Sequence, residues 1–107
     1  MESVIIPNKK YNEAIDTLIK HLRLPSATWV DERCASMRFI ARSYLALERY
    51  DESEMWLNKA INEAPHLRDP LIEKAFLNYI LENWEEVIEN CEKALKITFK
   101  KKNYINE

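Results

Sequence analysis

YDESEMWLNKA, at residues 50–60, is followed 34 positions later by a similar stretch, WEEVIENCEKA, at residues 84–94. The same offset separates further identical residues along the chain, in the pairs Ala41 and Ala75, and Leu47 and Leu81. A fixed period of this size is typical of one structural unit that is repeated and stacked, rather than of a closed globular core. Stacked repeats mostly bind other chains, so the repeat favours an interaction module over an enzyme.

The composition predicts an all-α fold. The chain has 107 residues, the usual size of a single domain, so we treat residues 1–107 as one domain. Apolar residues make up 47% and charged residues 32%, which is enough for a buried core under a polar surface. Glycine is absent. Tight β-hairpins and phosphate-binding loops rely on glycine for positive φ angles, so both are disfavoured.

Charge, hydropathy and cysteine spacing narrow the possible partners. The net charge of -2 argues against nucleic acid, and no apolar run approaches the ~20 residues of a membrane span. Cys34 and Cys91 lie too far apart for a typical metal site, so we expect no metal and no cofactor. Cys91 falls on an apolar helical face, which predicts a buried, reduced thiol. Reduced thiols suit the cytoplasm.

Five helices are predicted from the apolar periodicity and from start and stop signals. They cover about 8–22, 28–47, 51–64, 69–81 and a region from residue 84 onward. The candidate capping residues at their starts are Asn8, Thr28, Asp69 and Asn83. Short connections predict antiparallel neighbours. The segment 99–107 is polar, and we expect it to fray or to begin another helix.

The fifth helix has an apolar stripe that we expect to be buried: Trp84, Val87, Ile88, Cys91, Ala94 and Leu95. Alanines at equivalent positions should let helix axes approach closely: Ala41, Ala60, Ala75 and Ala94. A repeat array needs a polar cap on its last helix. Part of this stripe should therefore lack a covering helix. We predict either self-association through this terminal helix or a tail that folds back and covers the stripe with Tyr104 and Ile105.

The pattern resembles the tetratricopeptide repeat. In the first repeat the resemblance rests on Met37, Ile40, Ala41, Tyr44, Tyr50, Ser53, Leu57, Ala60 and Pro65, and in the second on Leu71, Ala75, Trp84, Val87, Cys91 and Ala94. It implies one repeat over 29–65, a second over 68–98, and an isolated second-type helix over 8–24. It also implies that these hairpins stack in a right-handed α-solenoid. Glu48 and Glu82 stand where the family usually ends a helix with glycine, which costs little if those turns avoid positive φ.

A narrower likeness involves the linker Ala64-Pro65-His66-Leu67-Arg68-Asp69-Pro70, together with the segment 24–29. These stretches look like the repeat region that follows the catalytic domain of bacterial family 2 glycosyltransferases. The likeness implies that the chain is part of a larger glycosyltransferase, in which it positions the catalytic domain or the acceptor. The α/β domain and paired aspartates that such an enzyme needs are not visible here, so we expect no catalytic residue. The alternative hypothesis is a free-standing adaptor that binds a peptide.

The predicted site is the concave face that the first helix of each hairpin should line. Its candidate residues for binding a protein or peptide are Arg38, Arg42 and Leu45 in one repeat, and Ile72, Phe76 and Tyr79 in the other. Two arginines one turn apart have the geometry to hold a carboxylate through paired N–H bonds. The neighbouring aromatic residues have the size to hold an apolar anchor. In the alternative interpretation, the arginines pair with Glu73 or Asp69 of the same chain.

Overall fold

The computed structural model describes the backbone of residues 8–106 and the side chains of residues 8–100. Five α-helices account for most of this region, and no strand occurs within it. The helices are α1 (Asn8–Leu22), α2 (Val30–Ala46), α3 (Tyr50–Glu63), α4 (Asp69–Ile80) and α5 (Trp84–Asn106). Each helix packs on the next one along the chain, and α2 also packs on α4. The predicted all-α class is therefore confirmed.

Two of the predicted caps are wrong. Helix α2 begins after Trp29 rather than after Thr28, and α4 begins after Arg68, with Asp69 already inside the helix. In neither helix does the side chain of the N-cap residue accept a hydrogen bond from an N–H group of the first turn. Asp69 instead directs its carboxylate toward α2, where Oδ2 lies 3.6 Å from Nη1 of Arg38. The attraction of a cation on the neighbouring helix replaces the local cap that the sequence pattern suggested.

The 34-residue period is visible in the helix ends. Helices α2 and α4 end at Ala46 and Ile80, and α3 and α5 begin at Tyr50 and Trp84, each pair with the same offset. The two turns between them also form the same hydrogen bonds. Arg49 N–H donates to the Tyr44 carbonyl at 2.9 Å, and Asn83 N–H donates to the Asn78 carbonyl at 2.8 Å.

These bonds define a Schellman motif at each turn, which requires a residue in the left-handed region. Glu48 and Glu82 occupy that position, with φ angles of 60° and 59°. The replacement of glycine by glutamate was expected to cost little only if these turns avoided positive φ angles. They do not avoid them. A side chain with a Cβ atom is strained in this conformation by about 1–2 kcal/mol, so both turns carry a cost that glycine would remove.

Small residues at the predicted positions bring the helices together. Ala41, Ala60, Ala75 and Ala94 are all buried, as predicted. Around them lie the larger buried side chains Met37, Ile40, Leu57 and Leu77. Because α2 contacts α1, α3 and α4, its residues contribute most to this core. Close approach at the alanines leaves room for the bulky residues in the spaces between the axes.

Arg33 connects three segments at the start of the fold. Its Nη1 atom donates to the carbonyls of Leu22, at 2.9 Å, and Ala27, at 3.2 Å. Its Nε and Nη2 atoms donate to the two carboxylate oxygens of Glu63, at 2.9 Å and 3.1 Å. One guanidinium group thus binds acceptors at the end of α1, in the following loop and at the end of α3. The fork geometry of arginine allows this, whereas a lysine ammonium does not.

The buried stripe predicted for α5 is wrong in four of its six members. Val87 is half-buried and Ala94 is buried, but Trp84, Ile88, Cys91 and Leu95 are exposed. Helix α5 packs on α4 alone among the described helices, through a face that includes Ala94 and the buried Asn90. The larger apolar side chains point away from this contact because the two faces lie about a third of a turn apart.

The tail and the cysteines also differ from expectation. Residues 99–106 continue α5 as one helix, so they neither fray as a separate tail nor begin another helix. The predicted covering by Tyr104 and Ile105 involves side chains outside the described residues. Cys91 is exposed, and Cys34 is the buried thiol, with 1% of its surface accessible. Burial raises the pKa of Cys34, which further lowers its reactivity.

Candidate functional site

Helices α2 and α4 lie side by side and carry the six predicted site residues at equivalent positions. The structure brings three of them, Arg42, Leu45 and Phe76, to a single cleft. Arg38 lies one turn before Arg42 on α2, where it contacts Glu73 of α4. Ile72 is half exposed near the start of α4 and is not part of the cleft lining.

Tyr79 lies at the far end of α4, beside the turn into α5. Its ring meets the ring of Trp84 edge to face, with a centroid distance of 5.4 Å. Sixty per cent of its surface is exposed, so it does not fill the core. The neighbouring Asn78 is buried there instead, and its Nδ2 atom donates to the Lys74 carbonyl at 2.9 Å. This bond satisfies the buried amide within its own helix.

Glu73 holds both predicted arginines. Its Oε2 atom accepts hydrogen bonds from Nε and Nη2 of Arg38, at 3.1 Å and 2.8 Å. The same oxygen accepts from Nε of Arg42 at 3.1 Å and from its Nη2 atom. These bonds raise the pKa of Arg38, with the hydrogen bond to Glu73 as the largest cause. The alternative interpretation of the arginines, pairing within the chain, is the arrangement that the structure contains.

The other carboxylate oxygen of Glu73, Oε1, is buried and accepts no hydrogen bond from the described residues. All donors therefore converge on one oxygen of the carboxylate. An external carboxylate would have to displace Glu73 to reach the same N–H groups, and would leave this partly buried residue without its cations. Such a loss is costly for a partly desolvated charge. The two arginines are thus better explained as a link between α2 and α4 than as a clamp for a partner's carboxylate.

The cleft itself is apolar. It encloses about 210 Å³ and is lined by Ala41, Arg42, Leu45, Ser53, Leu57, Glu73, Phe76 and Leu77. Ser53 is the one polar side chain that α3 contributes to the lining, and it is buried. Its hydroxyl group donates to the Ala41 carbonyl at 2.8 Å and is thus satisfied within the fold. Arg42 and Glu73 stand at one side and neutralise each other. What remains is a small apolar opening between α2 and α4, to whose lining α3 also contributes Ser53 and Leu57.

Phe39 is a surface residue of α2 that the sequence analysis did not select. It is 54% exposed, and the guanidinium of Arg42 lies 5.2 Å from the centre of its ring. The sequence held a signal that could have identified it. Phe39 follows Arg38 and lies off the apolar stripe of α2, and a phenylalanine at such a position does not join the core. Phe39 and Phe76 thus add exposed aromatic surface to α2 and α4, on which an apolar partner gains binding energy.

The remaining His, Cys, Asp and Glu side chains of the described chain do not form a metal site. Residues 8–100 contain no group of three or more metal-ligating side chains, and no described helix is long and apolar enough to cross a bilayer. His66 lies in the loop between α3 and α4, where its Nε2 atom is 2.8 Å from Oδ1 of Asp31. No known protein family, curated protein or solved structure matches this chain.

Proposed function

We propose that this chain is a protein–protein interaction module whose cleft between α2 and α4 receives an apolar side chain of a partner. The observation that carries the proposal is the apolar lining of a cleft of about 210 Å³, with the exposed Phe76 at its edge. This volume is below the roughly 300 Å³ at which pockets for small-molecule ligands begin. It suits one bulky aliphatic or aromatic residue of a peptide or protein.

The charges around the cleft support an apolar anchor rather than a charged one. Arg42 and Glu73 form an ion pair at its rim, so neither sign of charge dominates there. The exposed aromatic ring of Phe39 and the half-exposed Ile72 extend the apolar surface along the two helices. A few buried apolar anchors commonly provide most of the binding energy at protein interfaces. The partner segment is therefore one with a leucine, methionine or aromatic residue at its centre.

We also propose that the two hairpins, α2–α3 and α4–α5, stack as in the tetratricopeptide repeat, in a right-handed solenoid. The common 34-residue offset of their ends, their matching turns and the packing of α2 on α4 support this arrangement. The test is an experimental structure in which one hairpin superposes on the other. A left-handed rotation between them, or no regular rotation, would contradict the solenoid.

For the biological setting, we propose a module of a larger bacterial glycosyltransferase, and the alternative remains a free-standing cytoplasmic adaptor. The linker 64–70 supports the first of these through its likeness to the repeat region of such enzymes. Reading the codons on both sides of the coding region separates the two. A transferase domain in the same frame supports the first hypothesis, and flanking start and stop codons support the second.

A peptide selection tests the cleft directly. A random peptide library is panned on the chain, and the affinity of the enriched peptides is measured by calorimetry. We expect the peptides to share one bulky apolar residue, and Phe76→Ala to weaken binding by about tenfold or more, because the edge of the cleft is lost. Ile88→Ala serves as the matched control, since Ile88 is an equally exposed apolar residue on α5, away from the cleft.

Two results would contradict this function. One is an enriched set of peptides with no shared apolar residue, for example a purely acidic motif that binds the arginines. The other is equal weakening by Phe76→Ala and Ile88→Ala, which would place binding outside the cleft. The circular dichroism of each variant must match that of the parent chain, so that lost binding is not a consequence of unfolding.

A further inference from the structure

The outer face of α5 is a continuous apolar stripe. It consists of Trp84, Ile88, Cys91, Leu95 and Phe99, all of them exposed. Their spacings of four, three, four and four residues place them on one side of the helix, over four turns. Helix α5 packs on α4 through a different face, so this stripe is not part of the core of the described chain. Scattered apolar residues need no explanation on a surface, but a continuous stripe of this length marks an interaction site.

The charges beside the stripe are divided between the two halves of the helix. Glu85, Glu89 and Glu92 lie in the N-terminal half, and Lys96 and Lys100 in the C-terminal half. All of these residues are exposed. In a second copy of α5 that ran parallel, this charged flank would lie on the other side of the contact, so no acidic residue of one copy would meet a basic residue of the other. An antiparallel copy would place the acidic half against the basic half, which favours association and fixes the direction.

We propose that two copies of this chain associate through the outer faces of their α5 helices, which run antiparallel about a two-fold axis close to Cys91. The positions of the stripe are almost symmetric about that residue. In this register, Trp84 lies opposite Phe99 of the second copy, and Ile88 lies opposite its Leu95. Such a self-complementary interface is the usual arrangement of homodimers.

The same register brings the charges together. With a rise of about 1.5 Å per residue, Lys96 of the second copy falls about 3 Å along the axis from Glu85 on one side and from Glu89 on the other. Lys100 of the second copy falls equally close to Glu85, whereas Glu92 meets Glu92 of the second copy near the two-fold axis, so this one pair is repulsive. The dimer face lies on α5, whereas the cleft proposed for partner binding lies between α2 and α4. Dimerisation and partner binding are therefore separate properties, and either can fail without the other.

Sedimentation equilibrium over a range of concentrations tests the association. We expect a dimer that dissociates on dilution, and an increase of at least about tenfold in its dissociation constant for Leu95→Glu. Leu95 is 51% exposed, so this substitution leaves the core intact, as circular dichroism will verify. Met55→Glu is the matched control: Met55 is 47% exposed on α3 and should not alter the dimer. A chain that is monomeric at millimolar concentration overturns the proposal and leaves the stripe to a different partner.

Cross-linking tests the direction of the helices. Two variants, Ile88→Cys and Leu95→Cys, each also carry Cys91→Ser and so have one exposed cysteine. They are mixed and oxidised with diamide, which accepts two electrons and two protons for each disulfide formed. Antiparallel pairing predicts that disulfides join the two different chains, because like positions are about 10 Å apart along the axis. Parallel pairing predicts disulfides between like chains, and that result overturns the proposal. Cys34 is buried and does not compete.

Charge reversal tests the electrostatic part. In one variant, Lys96→Glu with Lys100→Glu makes the charged flank of α5 acidic throughout. In the other, Glu85→Lys, Glu89→Lys and Glu92→Lys together make it basic throughout. We expect each variant to dimerise at least about tenfold more weakly than the parent chain, and their equimolar mixture to form a heterodimer. Failure of the mixture to associate overturns the antiparallel arrangement. Added salt should weaken the heterodimer, since its contacts are exposed.

Discussion

Three arginine side chains of α2 form ion pairs with glutamates on other helices. Arg33 binds Glu63 across α2 and α3, and Arg38 and Arg42 bind Glu73 across α2 and α4. Pairs between exposed groups contribute little, but Arg33 and Arg38 are partly buried and make forked contacts. These pairs join α2 to α3 and to α4. The most informative residue-scale experiment therefore removes one carboxylate.

Glu63→Gln should lower the free energy of unfolding in a pH-dependent way. The Arg33 guanidinium holds the pKa of Glu63 below its ordinary value of 4.5. A carboxyl group whose pKa is lowered by folding contributes stability above its unfolded pKa, and this contribution is lost as the pH falls through the folded pKa. Because both groups are partly exposed, we expect a difference of about 0.5–1 kcal/mol between the parent chain and the variant at neutral pH.

Urea denaturation from about pH 7 down to about pH 3 measures this difference. It should stay constant down to about 4.5 and shrink below that value. Glu13→Gln is the control, since Glu13 is an exposed carboxylate on α1. A difference that grows as the pH falls would contradict the assigned role of Arg33.

The turns that end α2 and α4 show how a helix can stop without glycine. Each turn forms the two hydrogen bonds of a Schellman motif, and each has a glutamate at the strained position. The hydrogen bonds and the packing of the following helix impose the left-handed conformation. An unsuitable side chain is tolerated there because tertiary contacts outweigh a cost of about 1–2 kcal/mol.

Glu48→Gly should stabilise the protein, and Glu82→Gly should do the same. Each removes the strain of a Cβ atom at positive φ but increases the entropy of the unfolded chain, so the net gain is up to about 1 kcal/mol. Thermal unfolding of each variant measures the gain. Glu54→Gly, inside α3, is the control and should cost about 1 kcal/mol. If Glu48→Gly destabilises the chain as much as Glu54→Gly does, the left-handed turn is not strained.

The whole molecule is a row of helices in which each element depends on its neighbours. Helix α2 contacts three other helices, whereas α1 and α5 each contact one. Stability in such a row is approximately a sum of local and nearest-neighbour terms, so the ends should open more readily than the middle. The two proposed interaction surfaces depend on the same arrangement, since the cleft is lined by α2, α3 and α4 and the exposed stripe lies on the last helix described.

Native-state hydrogen exchange should therefore show a gradient along the row. We expect the slowest exchange in α2 and α3, and faster exchange in α1 and α5, because each of these two contacts only one other described helix. Mass spectrometry of peptides from dilute samples, in which the proposed dimer is dissociated, gives the measurement. Uniform protection of all five helices would indicate a single cooperative core instead of a row.

Local periodicity and composition were enough to predict the helical class, the five helices of the described region, the 34-residue period and the buried alanines. The tertiary structure alone decided which side of α5 is covered and which cysteine is buried. An apolar stripe on a helix shows that a face can be buried, but the neighbour that covers it depends on the packing of the whole row. In the same way, the sequence predicted that Arg38 and Arg42 lie one turn apart on a helix. Only the position of α4 in the structure showed that both bind Glu73.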